Sequence, residues 1–139
     1  MTAKEYLGQA YKLDLRINSK LEQVEVLRSL SQKVTASYDY HPESKTRNSS
    51  SLENTILRLI QAEEDLNASI DALVDLKVEI ARTISFLEDT NHQILLEKRY
   101  LSFHSWEEIA KELQCTVRWV HERHKRALDA MQNLLGARE

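Results

Sequence analysis

The residues most suited to chemistry lie together near the end of the chain, between Thr116 and Leu128. This segment has four Lys or Arg residues and a single acid, Glu122, so its local charge is about +3. The whole chain carries a formal charge of -3, and residues 51–90 contain nine acids against three bases. The charge pattern therefore predicts one surface for a polyanion on an otherwise acidic protein.

Helical spacing divides this segment into an inner and an outer face. The inner face is predicted to consist of Val117, Val120, His124, Ala127, Leu128 and Met131. The outer face carries charged and aromatic side chains, which the apolar core of a small domain does not accept unpaired. The helix is therefore expected to pack by one side and to offer the other to a ligand.

The side chains on the outer face match the groups exposed in a DNA major groove. Arg118 is expected to pair with guanine O6 and N7, Glu122 to accept from cytosine N4, and Trp119 to pack on a thymine methyl or a sugar. His121 and Arg123 lie at the margins of this face. Three further cations are expected to contact phosphates, which adds affinity without sequence information: Lys111, Lys125 and Arg126.

Three short helices are predicted to position these residues. Thr90 with Gln93 is read as a capping box that opens a helix over 91–101, and Ser105 with Glu108 as a second box that opens the next helix. After a tight connection at residues 114 and 115, Thr116 opens a last helix that ends near residue 135, with Gly136 as its C-terminal cap. Trp106 is expected to be a core anchor beside Tyr100 or Phe103. This arrangement predicts a helix-turn-helix domain over residues 89–139.

Two long helices precede this domain and carry the strongest periodic pattern in the sequence. Positions at alternating spacings of four and three are mostly apolar from Tyr6 to Val34, where Lys20 and Ser31 are the exceptions. The same spacing recurs over eleven positions from Leu52 to Leu87, where Glu63 and Lys77 are the exceptions. Helices are predicted over about 3–36 and 51–88, the second opened by a capping box of Ser50 and Glu53. The polar residues 37–50, which include the only proline, predict a loop between them.

The two heptad seams predict an antiparallel helical hairpin over residues 1–88, because neither seam can remain in water. We place Lys20 opposite Glu63, which also brings Val24 beside Leu59. Apolar residues outside the seams favour self-association of the hairpin, with a dimer as the preferred state. The chain is thus predicted to be all-α: a long coiled-coil-like hairpin followed by a helix-turn-helix unit of three helices.

The remaining composition excludes several classes of protein. Cys115 is the only cysteine, so no intrachain disulfide forms, and no apolar run is long enough for a membrane span or a signal peptide. A cytoplasmic protein is expected. Cys115, His121 and His124 do not have the spacing of a closed zinc site, so neither a metal nor a cofactor is predicted. No Gly-rich phosphate loop and no nucleophile paired with a base are recognisable, so an enzyme is not expected.

The last helices resemble region 4 of bacterial sigma factors. The resemblance lies in the run from Glu107 to Ala110, in Thr116 and Val120, and in Arg126-Ala127-Leu128. Region 4 usually has Gly near Gln114, where a left-handed backbone is needed. The whole chain is similar in layout to small uncharacterised phage and prophage proteins of Gram-positive bacteria, with motifs at residues 6–10, 17–20, 99–101, 106–110 and 119–120. This similarity implies a bacterial host cell and a role in transcriptional control.

Three functions are compatible with these patterns. The first is a phage DNA-binding transcriptional regulator whose hairpin dimerises or docks on a partner such as RNA polymerase. The second is a protein-interaction module that binds polymerase or another regulator without reading DNA, for which the acidic second helix is suited. The third is a small terminase-like subunit for DNA packaging. Double-stranded DNA is the expected partner in the first and third functions.

Overall fold

The protein is all-α in the computed structural model, which describes the backbone of residues 1–40 and 45–138 and the side chains of residues 1–36 and 50–137. Within these residues there is no strand, and the helices are α1 (Ala3–Tyr40), α2 (Lys45–Ile84), α3 (Thr90–Leu96), α4 (Trp106–Glu112) and α5 (Val117–Arg138). A π-helical turn, Glu97–Leu101, continues α3 without a break. The predicted all-α class is therefore confirmed.

The boundaries of the long helices differ from the predicted ones. Both enter the predicted loop 37–50, because α1 continues to Tyr40 and α2 begins at Lys45; residues 41–44, with Pro42, lie outside the described part of the chain. The capping box of Ser50 and Glu53 is wrong, since Ser50 lies inside α2. Residues 45–50 contain neither Gly nor Pro, so nothing in them stops a helix from extending. α2 also ends at Ile84, before the predicted limit.

Two further predicted caps are wrong. The residue that caps α3 is Asp89, whose Oδ1 accepts from the Asn91 N–H at 2.8 Å. Gln93 instead donates to the Leu87 carbonyl at 2.6 Å and thereby holds the chain between α2 and α3. At the other end of the chain, α5 passes through Gly136 to Arg138. Gly136 has no positive φ, so it does not act as a left-handed cap.

The contacts of the chain divide into two compact units. The first consists of Met1–Leu13 with Leu73–Glu139, and the second of Asp14–Ala72. The boundary predicted between residues 88 and 89 places the first turns of α1 and the last turns of α2 in the hairpin. The contacts group these turns with α3–α5.

The first unit has two cores. The larger core joins both ends of the chain: Leu7 and Ala10 from α1, Ile80 and Ile84 from α2, and Leu96, Tyr100, Ala127 and Met131 from the later helices. Polar contacts fasten the same elements, because the Ala3 N–H donates to Gln132 Oε1 at 2.8 Å and Tyr6 Oη hydrogen-bonds Thr83 Oγ1 at 3.0 Å. The smaller core holds α4 against its neighbours through Leu95, Ile109, Ala110 and Val120.

In the second unit, α1 and α2 run antiparallel, but not in the predicted register. Lys20 Nζ donates to Ser69 Oγ at 3.0 Å, and Glu63 pairs with Arg28 at 3.0 Å. The predicted contact between Lys20 and Glu63 is therefore wrong by about one heptad. A slip of seven residues returns the same seam of each helix to its partner, so the apolar pattern fits both registers equally well. The side-chain pairs distinguish them.

Candidate nucleic-acid interface

A capping box determines where α4 begins. The Glu108 N–H donates to Ser105 Oγ at 3.1 Å, and the Ser105 N–H donates to Glu108 Oε2 at the same distance. Each side chain satisfies a backbone donor that the first helical turn leaves without a partner. This box was predicted from the sequence and is confirmed.

The connection between α4 and α5 is short because one residue takes a left-handed backbone. Gln114 has a φ of 55°, and the next N–H, that of Cys115, donates back to the Ala110 carbonyl at 3.0 Å. A non-glycine residue in this conformation costs on the order of 1 kcal/mol. The resemblance to sigma factor region 4 implies a left-handed residue near this position, and in this chain Gln114 adopts that backbone. Thr116 then caps α5 by accepting from the Trp119 N–H at 3.1 Å.

The two faces of α5 have the composition expected from the sequence. Four of its inner residues are buried: Val120, His124, Ala127 and Met131. The two other predicted inner residues, Val117 and Leu128, are half-buried. Of the predicted DNA-binding residues on α5, five are exposed: Arg118, His121, Glu122, Lys125 and Arg126. The helix therefore has a surface of charged side chains on the side away from the core.

Neighbouring side chains already engage part of this surface. Arg118, whose side chain is 91% exposed, lies 3.7 Å from the Glu122 carboxylate one turn later. The Arg123 guanidinium lies 4.9 Å from the centre of the half-buried Trp119 ring. An exposed ion pair of this kind contributes well under 1 kcal/mol, so Arg118 remains available for an anion. Lys111 is exposed on α4 and is the only predicted site residue outside α5.

The surroundings of Trp106 differ from the prediction that placed it beside Tyr100 or Phe103. Its ring lies 4.8 Å from His121 and 4.6 Å from His124, centre to centre, and the Arg99 guanidinium covers it at 4.1 Å. Arg99 also donates to the His104 carbonyl at 3.0 Å. Arg99 of the π-helical turn, Trp106 of α4 and the two histidines of α5 thus pack against one another.

A buried hydrogen bond between Tyr100 and His124 also connects the π-helical turn to α5. Tyr100 Oη lies 2.7 Å from His124 Nε2, and the two rings are stacked with their centres 5.7 Å apart. Burial, with smaller contributions from the charges of Lys4 and Arg99, lowers the pKa of His124 to about 4, and burial raises the pKa of Tyr100. His124 is thus neutral at physiological pH. The sequence placed His124 on the inner face but did not reveal its partner, which lies 24 residues away.

An ion pair ties the π-helical turn to the end of α4. Lys98 Nζ contacts Glu112 Oε2, and this hydrogen bond lowers the pKa of Glu112. His104 Nδ1, buried and without a hydrogen-bond partner, lies 3.7 Å from the same carboxylate. None of these residues was selected from the sequence, because they are polar residues with no periodic pattern.

The described side chains do not form the arrangement that a metal ion requires. Among the side chains of residues 1–36 and 50–137, no three of His, Cys, Asp or Glu gather as metal ligands would. Cys115 is half-buried in the turn and His124 is buried beside Tyr100. In the same part of the chain, no helix has the length and apolarity that crossing a bilayer requires.

Comparisons with known proteins give this chain no family: no family model matches it, and neither the curated proteins nor the solved structures contain a significant match.

Proposed function

We propose that the protein is a DNA-binding transcriptional regulator in which α4, the turn at Gln114 and α5 act as a helix-turn-helix. The observation that carries the proposal is the division of α5 into a buried apolar face and an exposed face with Arg118, Lys125 and Arg126. A surface helix of this composition, anchored by its other side, has the features of a recognition helix. A phage or prophage setting follows from the sequence resemblance alone.

The proposed mechanism assigns different tasks to the two ends of the exposed face. Arg118 lies in the first turn of α5, where a recognition helix meets base edges, and its guanidinium suits guanine O6 and N7. Lys125 and Arg126 lie two turns later, and Lys111 lies on the preceding helix; these cations are suited to phosphates. The Tyr100–His124 bond and the Trp106 stack hold α5 so that these groups keep a constant spacing.

The proposal is tested by removing two of these cations together. Arg118→Ala with Lys125→Ala is expected to weaken retardation of duplex DNA at low salt at least tenfold, because two charge contacts are lost. The matched control is Arg16→Ala with Lys33→Ala, which removes two exposed cations from α1 and causes the same change of net charge. Unchanged retardation by the first pair, or an equal loss in the control, would contradict DNA contact by α5.

The Glu122 carboxylate gives a second prediction. Because it lies 3.7 Å from Arg118 and adds a negative charge to the proposed interface, Glu122→Gln is expected to raise affinity for random-sequence duplex DNA about three- to tenfold. If Glu122 also accepts from a cytosine, the same variant loses discrimination at one base pair of its operator. Both effects are measured by titrating labelled duplexes, with Glu107→Gln on α4 as the control for a general change of charge. No gain in affinity, or an equal gain in the control, would show that Glu122 does not face the DNA.

A further inference from the structure

A wide cleft lies in the first unit, and none of the residues that line it belongs to α5. It has a volume of about 920 Å³ and separates the first three turns of α1 from the segment that leads into α4. Volumes of this size are typical of sites that enclose a ligand or a segment of a partner. Its walls include Lys4, Gly8 and Lys12 on one side and Arg99 and Phe103 on the other.

Gly8 lies in the wall of the cleft that α1 forms. A glycine in the interior of a helix destabilises it by about 0.5–1 kcal/mol relative to alanine. Gly8 does not need its conformational freedom, since its φ is not positive, and a Cβ built at this position meets no atom within 4 Å. No contact within the chain therefore requires a glycine here. It leaves room for a partner to approach the backbone of α1.

Phe103 lies on the opposite wall. Its φ of 58° is unusual for a bulky residue and is maintained by its surroundings. Its ring meets that of Tyr11 edge to face at 5.5 Å, and Lys77 Nζ lies over it at 4.5 Å. Tyr11 is itself 49% exposed. The two rings thus form a preformed apolar wall beside Gly8.

Two lysines line the cleft in addition to Arg99, whose guanidinium already covers the Trp106 ring. Lys4 and Lys12 lie on the same side of α1, about 12 Å apart along the helix axis. Neither forms an ion pair with any residue that the structure describes. The two carboxylates in the walls are partly engaged by backbone donors, Glu5 by Thr2 N–H and Glu108 by Ser105 N–H. The cleft therefore suits an apolar segment with an acid at each end.

This chain has such a segment on its own surface, in α2. Glu53, Leu57, Ile60 and Glu64 follow one another at spacings of four, three and four, which places them on one face of the helix. The two apolar side chains are 59% and 45% exposed, and both acids are exposed. The acids are separated by about 16 Å along the axis. Flexible lysine side chains can span the difference from 12 Å.

We propose that this cleft binds the α2 segment Glu53–Glu64 of a second copy of the chain. Leu57 and Ile60 of the second copy lie over Gly8 and against Phe103, while its two glutamates pair with Lys4 and Lys12. Two such contacts, one in each direction, make a dimer with two-fold symmetry, whereas a contact made in one direction only extends to further copies. This contact would supply the self-association expected for the helical hairpin from the sequence. It requires no DNA contact by α5.

The test is a charge exchange followed by light scattering in the absence of DNA. The unmodified chain is expected to exceed its monomer mass of 16.2 kDa. Lys4→Glu with Lys12→Glu, and separately Glu53→Lys with Glu64→Lys, are expected to raise the dissociation constant of self-association at least tenfold, because like charges then meet. An equimolar mixture of the two variants is expected to associate again. The control is Arg16→Glu with Lys33→Glu, exposed cations elsewhere on α1.

Gly8→Leu keeps the test decisive if a charge variant fails to fold. The added side chain meets no atom of its own chain near its Cβ, so the monomer is expected to stay helical while the cleft is filled. Its self-association is expected to fall at least tenfold. The proposal is overturned by a chain that is monomeric at every concentration, by variants that associate like the original, or by folded variants whose mixture stays monomeric. A failure of DNA retardation alone would overturn the proposed function and leave this contact intact.

Discussion

Replacing Ile80 by alanine is expected to lower the free energy of unfolding by about 3 kcal/mol, the usual cost of a large-to-small change in a core that cannot collapse. Ile80 is fully buried where α2 meets Leu7 of α1 and Met131 of α5. The substitution opens a cavity beneath α5 without altering its exposed face. A urea titration followed by circular dichroism measures the loss.

Val78 provides the matched control for Ile80. It lies two residues earlier in the same helix, and its side chain is 57% exposed. Val78→Ala removes less apolar contact and gains helix propensity, so its free energy of unfolding is expected to change by less than about 0.5 kcal/mol. If both substitutions lower the free energy of unfolding equally, Ile80 does not contribute to this core as described. DNA affinity per folded molecule is expected to remain unchanged in both variants.

Acidification from pH 7 to about pH 4.5 is expected to destabilise the protein by about 2 kcal/mol through His124 alone. The folded state keeps this ring neutral, since burial lowers its pKa from 6.5 to about 4. The unfolded chain takes up a proton below pH 6.5, so the stabilisation is complete above that pH and is lost as the pH falls towards 4. Glu112, whose pKa is also lowered, adds to the loss at the acidic end of this range.

His124→Gln separates the histidine from the carboxylates. The glutamine side chain does not take up a proton in this pH range. The difference in unfolding free energy between pH 7 and about pH 4.5 is therefore expected to shrink by about 2 kcal/mol. His121→Gln, which changes an exposed histidine on the same helix, is the control and is expected to retain the full difference. An identical pH dependence in the original chain and in His124→Gln would contradict a neutral, buried His124. The measurement is chemical denaturation at several pH values in one buffer series.

The features of the candidate site that could be predicted from the sequence depend only on residues that are close together in the chain. Ser105 and Glu108 are three residues apart, and a capping box needs nothing else. The left-handed backbone at Gln114 was expected only from the resemblance to sigma factor region 4. The buried face of α5, with Val120 and Ala127, follows from the 3.6-residue period alone.

Local sequence patterns gave wrong predictions where more than one structure fits the same spacing. Ser50 and Thr90 each stand three residues before a Glu or Gln, yet neither forms a capping box. A serine or threonine at this spacing also fits the interior or first turn of a helix that begins earlier, and the pattern does not distinguish these cases. Whether the helix-turn-helix domain begins at residue 89 stays a prediction. The contacts of Leu7 and Ile80 with the later helices bear on its stability.

The sequence by itself determined that the chain is helical, where most helices lie, and which side of α5 carries the charges, because each of these depends on neighbours within one or two turns. The tertiary structure decided the register of α1 against α2, the pairing of Tyr100 with His124, and the cleft beside Gly8. Heptad seams repeat every seven residues, so they fit several registers with similar burial. Contacts between residues far apart in the chain leave no periodic trace, and only the folded backbone brings them together.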